Sequence, residues 1–64
     1  MNIKFKYEQD KIIFFTVYQG TIVQLLAAKL KTADFVEIKR LRHLALIELQ
    51  SFSSAILAAK RAAI

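Results

Sequence analysis

The sequence has no cysteine, no proline and no tryptophan, and it has one glycine and one histidine among 64 residues. Without cysteine, no disulfide can staple the fold and no thiolate can serve as nucleophile or metal ligand. A single histidine, His43, and five scattered carboxylates do not supply the converging ligands that a metal needs, so no metal and no cofactor is expected. Gly20 stands alone, which excludes a glycine-rich phosphate loop. Disordered tails and linkers are built from more proline and glycine than this, so order is expected nearly end to end. The shortage reaches catalysis as well. Ser51, Ser53 and Ser54 have only His43 as a possible base, and at least eight residues of helix, about 12 Å, separate it from each of them, beyond hydrogen-bond reach. The chain is therefore expected not to be an enzyme. The apolar run Ile12–Tyr18 follows a mixed-charge stretch and has no small-residue cleavage site after it, so it reads as a strand rather than a secretion signal. The lack of cysteine fits a reducing compartment, and the cytoplasm is the expected location.

What is present is apolar and basic. Hydrophobic residues make up 56% of the chain, above the usual level of about 45–50%. A single small domain spanning residues 1–64 buries only about 60% of its unfolded surface and is marginal alone. With disulfides and metal excluded, association with another copy of the chain, as a homodimer or larger assembly, is the expected remedy. The net charge is +5 and the isoelectric point is near 9.9. That is the footprint of a polyanion binder, although a charge of this size also serves solubility.

The periodicity changes at Gly20. Before it, Ile3, Phe5 and Tyr7 alternate with Lys4, Lys6 and Glu8, and Ile12–Tyr18 is dense in β-branched and aromatic residues. The two stretches predict a β-hairpin over about 2–8 and 12–18. A three-residue loop, Gln9–Lys11, is preferred because a two-residue loop would bring lysine into both faces. It sets Tyr7 opposite Ile13, Phe5 opposite Phe15 and Ile3 opposite Val17. After Gly20, Thr21 and Gln24 have the spacing of a capping box, and Ile22, Leu25, Leu26 and Leu30 recur at three and four residues. They predict a short helix over about 22–31. A second capping box, Asp34 with Glu37, opens a long helix over about 35–63. Its one soft spot is Ser51–Ser54, where hydroxyls can compete for backbone hydrogen bonds and break it. The expected fold class is α+β, mostly helical.

Projected at about 100° per residue, the long helix carries an apolar stripe that includes Leu41, Ala45, Leu49, Phe52 and Ile56. These five are the expected oligomer interface, because Leu46, Ile47 and Leu57 also intrude on the polar side and call for a further partner. The cluster Lys39, Arg40, Arg42 and His43, joined by Lys60 and Arg61 near the C-terminus, is the most suggestive basic feature. Lys39, Arg40, Arg42, Lys60 and Arg61 are the candidate nucleic-acid contacts, since such side chains meet phosphates as point charges and forks. In an antiparallel pair of long helices the two basic groups of opposite copies would meet. Glu37 and Arg40 have the spacing of an exposed i,i+3 ion pair, worth tenths of a kcal/mol (roughly 0.2–0.5). Glu48 lies at the edge of the stripe between Leu44 and Phe52, and must reach solvent or a cation from another chain. A helix-turn-helix across Leu25–Leu44 is weakened by a turn without glycine and by Glu37 at an expected apolar position.

Three functions fit these features. The first is a small non-catalytic homo-oligomer that contacts nucleic acid through the basic face of the long helix. The second is a structural or adaptor subunit that docks a protein partner through apolar helix surfaces. The third is a cationic helix acting at a membrane surface. Leu44–Ala59 is too short, and too interrupted by Glu48 and Gln50, for a transmembrane span to be expected, since spanning takes about 20 apolar residues.

Overall fold

The computed structural model describes residues 2–29 and 35–63. Three strands, β1 (Lys4–Glu8), β2 (Lys11–Tyr18) and β3 (Thr21–Lys29), form an antiparallel sheet in the order β1-β2-β3. One helix, α1 (Phe35–Ala62), follows. The α+β class is as expected. The short helix over 22–31 is not: residues 21–29 are strand, and residues 30 and 31 lie outside the described part. The described residues are 49% helix and 39% strand, so they are not mostly helical.

β3 exists because Gly20 completes a turn rather than marking a change of regime. Gln19 and Gly20 both have positive φ, 52° and 78°, the mark of a two-residue type I′ turn whose twist matches that of paired strands. Thr21, Ile22 and Val23, all β-branched, then continue from Tyr18 directly into the partner strand. The sheet is regular except at a bulge. Phe14 pairs with Leu26 but Phe15 pairs with Gln24, which leaves Leu25 as the extra residue.

The first hairpin is also tighter than the sequence reading. Its turn is the two residues Gln9 and Asp10, with Gln9 at φ 57°. The pairs are Phe5 with Phe14 and Tyr7 with Ile12, not Phe5 with Phe15 and Tyr7 with Ile13. A slip of one residue exchanges the faces of β2 completely. Ile3, Phe5 and Tyr7 therefore share a face with Ile12, Phe14 and Thr16, and Lys4, Lys6 and Glu8 share the other with Ile13, Phe15 and Val17. Lysine enters one face only, so the objection to a two-residue loop falls away.

α1 lies on the face of Ile12 and Phe14, across β2 and β3 and, among the described residues, not against β1. Ile12, Phe14, Leu41 and Ala45 are the buried centre, with Ile3, Leu25, Leu26, Ala28 and Ile38 packed around them. Ala45 is fully buried, so helix and sheet approach closely there. The helix is continuous through Ser51–Ser54. Its 28 residues are about 42 Å long at 1.5 Å each, whereas the eight residues of β2 reach only about 27 Å. The C-terminal part consequently runs beyond the sheet. Phe52 meets Tyr18 edge to face at 5.7 Å, and from Ser54 onward only Ile56 is half-buried. The capping box at Asp34 falls outside the described residues; its partner Glu37 forms an ion pair with Arg40.

Thr16 is the one buried polar side chain among the described residues, and its Oγ1 donates a hydrogen bond to the Asn2 carbonyl at 2.8 Å. Asn2 is exposed, so its carbonyl can turn to water if the donor is removed. Thr16→Val is accordingly expected to cost only about 1 kcal/mol, the net worth of one hydrogen bond. Urea unfolding measures this. A loss above ~3 kcal/mol would show that the bond holds the N-terminal segment in place cooperatively.

Candidate nucleic-acid interface

The helix surface is divided by the sheet beneath it. Leu41, Ala45 and Leu49 of the expected oligomer interface are buried inside the single chain, facing β2 and β3. Phe52 is half-buried on Tyr18, and Ile56 is half-buried on the overhanging part. The stripe is thus largely occupied by the chain's own sheet. The sequence reading had only two strands of that sheet, because β3 was read as helix.

With the stripe turned inward, the basic residues point away from the sheet or along its flank. Lys39, Arg40, Arg42, Lys60 and Arg61 are all exposed. At about 100° per residue, Arg42, Lys60, Lys39 and Arg61 fall within an arc of about 100°, and Arg40 lies roughly 60° beyond it. Arg40 is also engaged. It grips Glu37 through both carboxylate oxygens, Nη2 to Oε1 at 2.5 Å and Nε to Oε2 at 3.4 Å. These hydrogen bonds, and then the charge of Glu37, raise the Arg40 pKa further above its ordinary value. Arg40 is therefore always cationic, but its fork already holds an anion. Among the described residues no carboxylate pairs with Lys39, Arg42, Lys60 or Arg61, and the only other ion pair is Lys6 with Glu8 at 3.9 Å. Val36, Lys39, Arg40, His43 and Leu44 border a shallow depression on the outward side of α1. Glu48 is exposed and makes no ion pair among the described residues.

The second surface was not foreseen. Antiparallel register puts directly opposed residues on one side of a sheet. The side away from α1 is therefore built of rows: Lys4, Phe15 and Gln24; Lys6, Ile13 and Ala27; Glu8, Lys11 and Lys29; and Val17 beside Ile22. Ile13 and Phe15 are half-buried, and Val17 and Ile22 are 42% and 65% exposed. Lys6, Ile13, Phe15, Ile22 and Gln24 line a shallow groove there. The signal in the sequence was the alternation of Lys4 and Lys6 together with a second strand apolar on both sides. Either register sets the lysines beside an apolar side of β2, and the observed one makes that side Ile13, Phe15 and Val17.

Among the described residues no helix is long and apolar enough to cross a membrane, and no group of three His, Cys, Asp or Glu side chains could hold a metal ion. Compared with known protein families, with curated proteins and with solved structures, the chain matches none.

Proposed function

We propose that this is a small non-catalytic protein that self-associates and contacts nucleic acid through the exposed basic flank of α1. The observation that carries this reading is the arc of Lys39, Arg42, Lys60 and Arg61, exposed and not paired with any carboxylate of the described chain. Residues 39 and 60 are 21 positions apart, about 31 Å along the helix axis, close to the ~34 Å of one turn of B-form DNA. Lysine and arginine at that separation along one continuous helix can touch phosphates on successive turns without reading sequence. The role of Arg40 is secondary here, because contact with phosphate must displace Glu37. Self-association draws support from the apolar residues left outside the core, Ile47 and Leu57 on α1 and Phe5 and Tyr7 on β1, each more than half exposed. Exposed apolar area of this kind marks interaction surfaces.

The adaptor reading is favoured by one specific observation, the apolar sheet face left uncovered by α1. Comparing two double variants separates the readings. Arg42→Ala with Lys60→Ala is expected to reduce the salt slope of binding to a generic DNA duplex by about two. Lys4→Ala with Lys6→Ala removes the same charge from the sheet and should leave that slope nearly unchanged. Equal losses in the two variants, or no duplex binding by the wild type, would replace the α1 reading with the adaptor.

A further inference from the structure

A half-buried sheet usually presents polar side chains on its open side. Here the central strand does the opposite. Ile13, Phe15 and Val17 form an apolar floor continued by Ile22 on β3, and four lysines, Lys4, Lys6, Lys11 and Lys29, stand around it with Glu8 as the one carboxylate. The occupant must therefore be apolar and flat on one side and anionic at its edges. A second copy of this chain has the wrong charge, because laying the face on itself brings eight lysines together against two glutamates.

We propose that the open face of the sheet binds single-stranded nucleic acid, with Phe15 as the stacking platform and Lys4, Lys6, Lys11 and Lys29 meeting the phosphates. The row Lys4–Phe15–Gln24 is the centre of the site. A base stacked on the Phe15 ring has the Gln24 amide on one side, able to donate to and accept from a base edge. On its other side is the Lys4 ammonium, within reach of the backbone. Lys6 follows Lys4 by two residues, so the pair tracks along the strand at a spacing of about 7 Å. Ile13, Val17 and Ile22 extend the floor for neighbouring bases. Stacking on an aromatic ring beside a cationic track is the general means by which single strands are held without sequence preference. This site is on the sheet layer and is separate from the basic arc of α1, which runs along the flank of the helix layer.

The test uses a fluorescein-labelled twelve-nucleotide oligothymidine, a duplex of equal length, and an abasic deoxyribose-phosphate oligomer carrying the same charge. Phe15→Leu keeps an apolar side chain in the floor but removes the stacking ring. Anisotropy titrations should show Phe15→Leu weakening oligothymidine binding by about tenfold, Lys4→Ala with Lys6→Ala weakening it and lowering its salt slope, and neither variant changing duplex affinity. The abasic oligomer should bind the wild type less well than oligothymidine. Circular dichroism establishes that the variants are folded, and Val17→Leu, which changes the floor without touching the ring, controls for general repacking. The proposal is overturned if Phe15→Leu binds oligothymidine like the wild type, or if the abasic oligomer binds equally well. It is also overturned if polyglutamate displaces oligothymidine equally well at matched charge, which would point to an acidic protein partner. Light scattering adds one further arm: a dimer that Val17→Glu disperses would give the face to a second copy. Binding of the duplex but not of oligothymidine would leave the α1 reading standing and remove this one, and the converse result would do the reverse.

Discussion

Phe14→Ala is expected to unfold the protein at room temperature. Phe14 is 1% exposed and sits between Phe5 and Leu26 of the flanking strands, under the helix. Removing a buried phenylalanine costs about 3–5 kcal/mol, because transfer and cavity terms add. The buried apolar centre here is Ile12, Phe14, Leu41, Ala45 and Leu49, and a core of that size rarely supplies more than about 3–5 kcal/mol of net stability. The loss therefore matches the whole. Phe5, 55% exposed on the strand α1 leaves uncovered, is the internal comparison. Phe5→Ala removes the same ring but should cost no more than about 1.5 kcal/mol, chiefly its edge contact with Tyr7 and its tilted contact with Phe14. Circular dichroism melts of the two variants measure the difference. If Phe14→Ala melts within a few degrees of Phe5→Ala, α1 does not rest on the Phe14 side of the sheet.

Duplex binding should fall by roughly 150-fold between 50 and 200 mM salt if Lys39, Arg42, Lys60 and Arg61 each neutralise one phosphate. Counterion release gives a slope of about −0.9 per contact, hence about −3.6 for four, and a fourfold rise in salt then costs about 2.2 decades. Arg40 sharpens the arithmetic. If it abandoned Glu37 for phosphate the slope would approach −4.5, so the number of contacts shows whether that ion pair survives binding. A titration series in anisotropy measures the slope. A slope flatter than about −1 would show that α1 does not meet the phosphates as a set, and the charge would then be of use only for solubility.

The long helix was legible because nothing between Phe35 and Ala62 interrupts it: no proline, no glycine, and apolar residues at Leu41, Ala45 and Leu49 that repeat every four. The hairpin was legible from the alternation around Phe5, but its register was not. Two-residue and three-residue loops through Gln9 and Asp10 differ by one position, and β2 is apolar at every position from Ile12 to Phe15, so periodicity cannot choose between its faces. β3 was missed for a physical reason located at Leu25. The bulge inserts one extra residue, so the positions turned toward α1 run Val23, Leu26, Ala28 with Leu25 packed beside them. A strand broken this way no longer has period two, and Ile22, Leu25 and Leu26 then imitate the spacing of a helix. Leu, Ala and Lys, good helix formers, complete the disguise. The error propagated to the candidate sites. With β3 read as helix the sheet shrank to a two-stranded hairpin, and Leu41, Ala45 and Leu49 were assigned to a second copy. The exposure of the basic residues was unaffected, because it depends only on the helical projection.

The part of α1 that outruns the sheet sets up a gradient of local stability along one continuous helix. From Ile38 to Leu49 each turn is held by burial as well as by its own hydrogen bonds. Beyond Phe52 only Ser53 and Ile56 are half-buried, so the helix is held chiefly by its own hydrogen bonds, and an isolated helical stretch of about ten residues is marginal in water. The last carbonyls are partly satisfied, since the Ala63 amide donates to Ala59 at 3.1 Å, and Lys60 and Arg61 complement the negative end of the helix dipole. These are small terms, so the end opens and closes at little cost while the seam beneath Ala45 does not. Lys60 and Arg61 ride on the part that frays. Contact with any partner at these two residues must first arrest that fraying, and part of the binding energy is spent there on order rather than on affinity.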